Sequence, residues 1–424
     1  MGNPDIVLVT IDSLRADSVG FLDDSAPATP TMDAVAAEST IATAATAPSS
    51  HTRASVPAIL TSKYAHNFFT NFLNDTEFST VTERLADVGY ETAAFHSNPL
   101  LSRHFGYDRG FDTFSDGLRF VENSRLPEPA TRLYSKAIRL LRRFPYQPAE
   151  AITEQAVDWL SERGDAPVFL WVHYMDPHGP YALDRDRGYR DKFRSERLWR
   201  KAVTEPEAVT KSECRRLRDS YDAEVEHTDR HLSPLFEAVD AHTDNATVVL
   251  TGDHGEEFRE HGTFSHHPKL YEEVTRVPFV LDTPRAVTPP EPISLLDVVP
   301  TLLAGVDGVA VPDSLAGIDL AADPSREHVI AETNPEDGEV MVGVRSATHK
   351  YIVHGADREL YDLTTDPGEQ ENLAGTGHEA ESELRDATAA HLNSHDVGGG
   401  DKLASTAEGM DSEMQGRLED LGYL

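Results

Sequence analysis

The sequence predicts an α/β fold: a central, mostly parallel sheet flanked by helices, followed by a smaller C-terminal α+β subdomain. Short continuous apolar runs recur at 6–12, 92–97, 168–174, 247–253 and 277–282, the pattern of strands buried on both faces. Helix-patterned stretches at 80–88, 149–163, 211–239 and 295–303 alternate with them, as crossover connections require. After about residue 320 the pattern changes to short strands with tight turns at 328–332, 341–345, 350–354 and 359–362.

The boundaries follow from that change. Residues 1–320 form the larger, catalytic-type domain and 321–424 the α+β subdomain. With 424 residues the chain is long enough for a large core or two units. A polar helix is expected at 378–394, a Gly-rich linker at 396–401 and a last helix at 411–421. Stretches 115–150 and 180–210, rich in Arg, Pro and polar residues, read as surface insertions. No internal repeat is present.

Composition narrows the function classes. Lys and Arg total 38 against 73 Asp and Glu, a net charge of −35 spread along the whole chain. Such a surface suits a salt-rich cytoplasm, and it disfavours nucleic acid or an anionic membrane as the main partner. The lone Cys214 sits in a charged helical stretch and excludes an intrachain disulfide. The N-terminus shows no basic and apolar leader pattern, and no run of 18 apolar residues exists. A cytoplasmic protein without an integral membrane segment is the expectation.

The chemistry concentrates at strand ends. The run 246–250 leads into Thr251-Gly252-Asp253-His254-Gly255-Glu256-Glu257, and the run 6–11 ends in Asp12. Carboxylates and an imidazole brought to one sheet edge can hold a divalent metal, which points to a metal-dependent hydrolase or transferase. The bland reading of Asp12 is a helix cap. Asp176 and His178 follow the run 168–174 in a Pro- and Gly-bounded turn, and His266 and His267 lie beyond the Asp-His pair; each has an exposed-loop alternative. Imidazoles beside carboxylates suit zinc or manganese better than calcium. In 46–64, Thr52 and Ser55 stand at the start of a helical turn, as caps or as a nucleophile. Arg53 and Asn98 are candidates for a substrate's non-bridging oxygens; the alternatives are pairing with a surface acid for Arg53 and a turn cap for Asn98.

These pieces, in this order, resemble the sulfatase family of the alkaline phosphatase superfamily. The resemblance runs through the first strand, the hydroxyl loop, Asp253-His254-Gly255-Glu256 and Leu270-Tyr271-Glu272-Glu273-Val274-Thr275-Arg276-Val277-Pro278. It continues through Glu359-Leu360-Tyr361-Asp362-Leu363, Asp366-Pro367-Gly368-Glu369, Asn372-Leu373 and the ending at 417–424. It implies an alkaline-phosphatase-like fold and an anionic ester substrate, either a small molecule or one derived from a glycan or lipid.

The departures shape the expected mechanism. Formylglycine sulfatases carry Cys or Ser in a Cys/Ser-x-Pro-Ser-Arg frame. Cys214 lies far from such a frame, and Ser55-Val56-Pro57-Ala58-Ile59 lacks its Arg. Aligned back from Leu60-Thr61, Thr52 takes the nucleophile position, in a frame similar to that of threonine-nucleophile phosphoethanolamine transferases. Ser13 stands where a second Asp is usual, and His254 where Asn is common. The resemblance then implies two divalent ions, Zn or Mn first and Mg or Ca as alternatives. One would be held by Asp12, Thr52, Asp253 and His254, the other by His178, one of His266 and His267, and Asp176. The expected reaction is phosphate mono- or diester cleavage through Thr52, with Ser55 as alternative nucleophile. Its competitors are sulfate ester hydrolysis, phospho-headgroup transfer and a non-catalytic binding role.

Overall fold

A computed structural model describes residues 2–117, 146–181, 189–243, 245–322, 325–335 and 338–395. The main sheet is built from β1 (Ile6–Ile11), β2 (Thr40–Thr46), β3 (Glu91–Phe95), β4 (Thr113–Ser115), β5 (Val168–Tyr174) and β6 (Thr247–Gly252). A short hairpin, β7 (Glu257–Phe258) and β8 (Phe264–Ser265), follows, and then β9 (Arg276–Asp282) and β10 (Ile293–Ser294) complete the main sheet. The strand order is β10-β2-β9-β6-β1-β5-β3-β4. The sheet is mixed: β9 runs antiparallel to both β2 and β6, while β1 is parallel to β5 and β6.

The apolar runs form these strands because both faces are covered. Every residue of β1, β5 and β6 is buried. One face packs against the helix Thr52–Thr61 and the helix Val298–Ala304, through Val56, Ile59, Leu60, Val299 and Leu303. The other packs against the helices Ala149–Ser161 and Lys211–His242, through Ile152, Ala156, Leu160, Tyr221, Val225 and Leu232. The 32-residue helix starts on a capping box, with Thr210 and Glu213 satisfying each other's backbone N–H groups.

Several elements differ from expectation. β2 is built of Thr, Ile and Ala, too small to read as an apolar run, and a register shift between Ala42 and Ala45 bends it. β4 and β10 have three and two residues. The stretch 180–210 is not only a surface cover. It contains the helix Tyr189–Thr204, whose Leu198 and Ala202 enter the core and whose Trp199 packs edge-on against Tyr181. The linker at 396–401, the helix at 411–421 and the ending at 417–424 lie outside the described residues, as does most of the 115–150 stretch. Among the described residues, no helix is long and apolar enough to cross a membrane.

The C-terminal part is a four-stranded antiparallel meander: β11 (His328–Thr333), β12 (Met341–Ser346), β13 (His349–His354) and β14 (Asp357–Asp362). The helix Ala380–Ser394 packs on it through Leu384. Buried Lys350 joins the meander to the main domain: Nζ lies 2.7 Å from Glu272 and 3.1 Å from Glu369, and donates to the Leu270 carbonyl. Glu369, from the Asp-Pro-Gly-Glu turn, accepts from the Glu272 N–H.

Candidate active site

Sheet register creates the site. Ile11 is opposite Tyr174 on one side and Gly252 on the other, so the residues after β1, β5 and β6 emerge together at the strands' C-terminal edge. This edge is where ligands bind in open α/β sheets. Asp12, Asp253 and His254 are all fully buried there, with ligand atoms within 4.8 Å of one another.

Thr52 opens a buried helix that points its N-terminus at this group. Its Oγ1 lies 3.2 Å from Asp12 Oδ2 and 3.1 Å from His254 Nε2. His254 Nδ1 donates to the Gly255 carbonyl at 2.8 Å, which turns the Nε2 lone pair toward Thr52. Asn98 Nδ2 donates to Asp12 Oδ2, while its Oδ1 accepts from the Leu100 N–H, so this side chain is both a site residue and a turn cap.

Ser13 adopts φ 60°, a left-handed conformation that costs a non-glycine residue roughly 1–2 kcal/mol. The strained turn aims its N–H at Asp253 and its hydroxyl at Asp12, and Tyr221 holds its carbonyl. Where the family pattern has a second Asp, this chain therefore uses Ser13 to orient the two carboxylates.

Two carboxylates buried side by side repel. Burial alone would raise Asp12, but the imidazoles of His178, His173 and His254 around it hold it well below the usual carboxylate range. Burial and the Asp12 charge push Asp253 upward. Asp253 Oδ2 has no hydrogen-bond partner among the described residues. An unpartnered, fully buried carboxylate oxygen facing an imidazole lone pair and a second carboxylate fits a divalent cation.

The remaining candidates divide. His266 enters the site, with its ring 4.6 Å from His254 and 5.0 Å from His178. Burial, His254 and His178 keep His266 neutral. The contact of His267 is different: its backbone carbonyl accepts from the Lys269 N–H. Asp176 is fully buried, and its Oδ1 lies 3.6 Å from His227. Ser55 donates its hydroxyl to the Asp253 carbonyl at 2.6 Å. Arg53 lays its guanidinium over Phe72 at 4.6 Å, and its Nε has no hydrogen-bond partner among the described residues. Desolvation lowers its pKa to about 10, so it stays cationic at neutral pH. Cys214 lies on the long helix, 3.5 Å from the Phe258 carbonyl.

Three residues were missed by sequence reasoning. His173 lies inside β5, its Nδ1 2.8 Å from Thr10 Oγ1 and its Nε2 3.5 Å from Asp12. Its only sequence signal is one polar residue in an apolar run. Glu256 contacts His266 at 3.3 Å and accepts from Tyr181 at 2.7 Å; burial pushes it up to about 7. His51, just before Thr52, is pushed down to about 3 by desolvation and by His254 and His266.

A family model described as Sulfatase matches residues 4–308. The ulvan-active sulfatase of Formosa agariphila is 26% identical over 411 residues, covering 88% of this chain and 77% of that protein. The phosphonate monoester hydrolase of Agrobacterium radiobacter superposes with a TM-score of 0.70 at 18% identity, over 92% of this chain and 95% of that one. A protein solved with its substrate D-glucosamine-2-N,6-O-disulfate superposes with a TM-score of 0.71 at 18% identity, over 92% and 98%. The main sheet, the C-terminal meander and a family match across most of the length agree: the chain belongs to the sulfatase family, metal-dependent hydrolases acting on ester bonds.

Proposed function

We propose that the chain hydrolyses a phosphate mono- or diester with Thr52 as nucleophile. The carrying observation is Thr52 Oγ1 at the N-terminus of a buried helix, within 3.2 Å of both Asp12 and His254. In this reading Thr52 Oγ1 forms a bond to phosphorus as the bond to the leaving oxygen breaks. The hydroxyl proton passes through water to the leaving oxygen. A second water then attacks phosphorus, releasing phosphate from a monoester or the remaining monoester from a diester, and its proton restores the Thr52 hydroxyl. Asp12, Asp253 and His254 would hold a divalent ion, with His178 and His266 beside a second, and such ions supply Lewis-acid stabilisation of the attacking and leaving oxygens. Arg53 and Asn98 would bind the non-bridging oxygens.

Sulfate ester hydrolysis is the second reading, favoured by the ulvan-active sulfatase and by the neighbour that binds a sulfated glucosamine. Initial rates on p-nitrophenyl phosphate, a bis-aryl phosphodiester and p-nitrophenyl sulfate, in molar salt with metal content measured, separate the two. Phosphoester turnover should fall at least about 10³-fold in Thr52→Ala. Sulfate turnover that survives in Thr52→Ala and is lost in Ser55→Ala would reject the Thr52 mechanism.

A further inference from the structure

The Asp176-Pro177-His178 turn serves two places. His178 faces His266 at the active site, whereas Asp176 meets His227 on the long helix. His227 and His231 are one helical turn apart and share a face. Their ring centroids are 4.5 Å apart. Both Nε2 atoms converge on one oxygen of Glu150, from the first turn of the helix Ala149–Ser161, at 2.9 and 3.8 Å. The ligand atoms of Glu150, His227 and His231 lie within 4.8 Å of one another.

We propose that Glu150, His227 and His231 form a transition-metal site of zinc type, separate from the Asp12 centre. Two imidazoles and a carboxylate, with water in the fourth position, are a zinc donor set, with bonds of about 2.0–2.2 Å that place tetrahedral ligand atoms about 3.3 Å apart. The observed His–Glu separations of 2.9 and 3.8 Å bracket that value. A simple His–Glu hydrogen bond explains the contact of His227. A metal would also use the second Nε2, which points at the same oxygen from 3.8 Å. Glu150 is 48% exposed and His231 27%, which gives an ion a route in. An ion held here ties the helix Ala149–Ser161 to the long helix Lys211–His242.

The test is zinc content after equilibrium dialysis, with cobalt spectra as a second readout. It compares Asp12→Asn, which disables the catalytic centre, with the same chain also carrying His227→Ala and His231→Ala. The triple variant should hold one zinc equivalent less than Asp12→Asn and lose the cobalt band of this site. Equal zinc and equal spectra in the two chains would overturn the site. If the triple variant does not fold, Asp12→Asn combined with His231→Gln, at a partly exposed position, should bind zinc at least ~10-fold more weakly than Asp12→Asn. Unchanged affinity there would equally reject the proposal.

Discussion

Ser55 lies one helical turn beyond Thr52, yet the two hydroxyls have different surroundings. Thr52 faces the carboxylate–imidazole group, while Ser55 donates to the Asp253 carbonyl and so supports a ligand. Ser55→Ala leaves that buried carbonyl short of a partner and should cost about 1–3 kcal/mol in urea unfolding. Its turnover should fall far less than that of Thr52→Ala. A Ser55→Ala protein with normal stability and metal content but no turnover would make Ser55 the nucleophile. At this scale the legible residues were those ending an apolar run: Asp12, Asp253, His254 and His178. His173 and Glu256 were not, because their roles depend on neighbours brought by strand pairing and by Tyr181.

Among the elements, the turn after β6 depends on a close backbone approach. A Cβ on Gly255 would collide with the Glu273 carbonyl oxygen, while the Gly255 carbonyl accepts from His254 Nδ1. Gly255→Ala should therefore misplace His254, lowering metal content and kcat together; a fully loaded, fully active variant would contradict this. The joint between β11 and the helix Ala380–Ser394 has its own signature. Glu332 is buried, lies 2.6 Å from His391 and 3.0 Å from His66, and its N–H donates to the Pro48 carbonyl. Asn67 Nδ2 is 3.3 Å from His66 Nε2, which directs the Nδ1–H to Glu332. Burial would raise Glu332, but the hydrogen bonds from His391 and His66 outweigh it and bring it to about 2. A depressed carboxylate stabilises above its unfolded pKa, and the effect is lost as pH falls from about 4.5 toward 2. Glu332→Gln should cost about 3 kcal/mol at pH 7 and much less at pH 3, measured by urea unfolding. A gap that does not change with pH would remove the ionised Glu332 carboxylate from the joint.

Over the whole molecule, the net charge of −35 opposes compaction, and salt shortens the repulsion to a few ångströms. The melting temperature should rise by at least about 5 °C between 0.1 and 2 M KCl; an unchanged melt would reject salt adaptation. The linear chain by itself determined the strand core, since continuous apolar runs of strand length can bury both faces only inside a covered sheet. It also determined which carboxylates and imidazoles stand at the strand ends, and the family, through ordered motifs from the first strand to Asn372-Leu373. Tertiary structure alone decided which side chains meet. Register placed Asp12 beside Asp253, chain reversal brought His266 rather than His267 to His254, and one tight turn sent His178 and Asp176 to different partners. The physical reason is range. Burial and periodicity act between near neighbours and can be read locally, whereas a site joins residues more than 240 positions apart, and only packing fixes their separations.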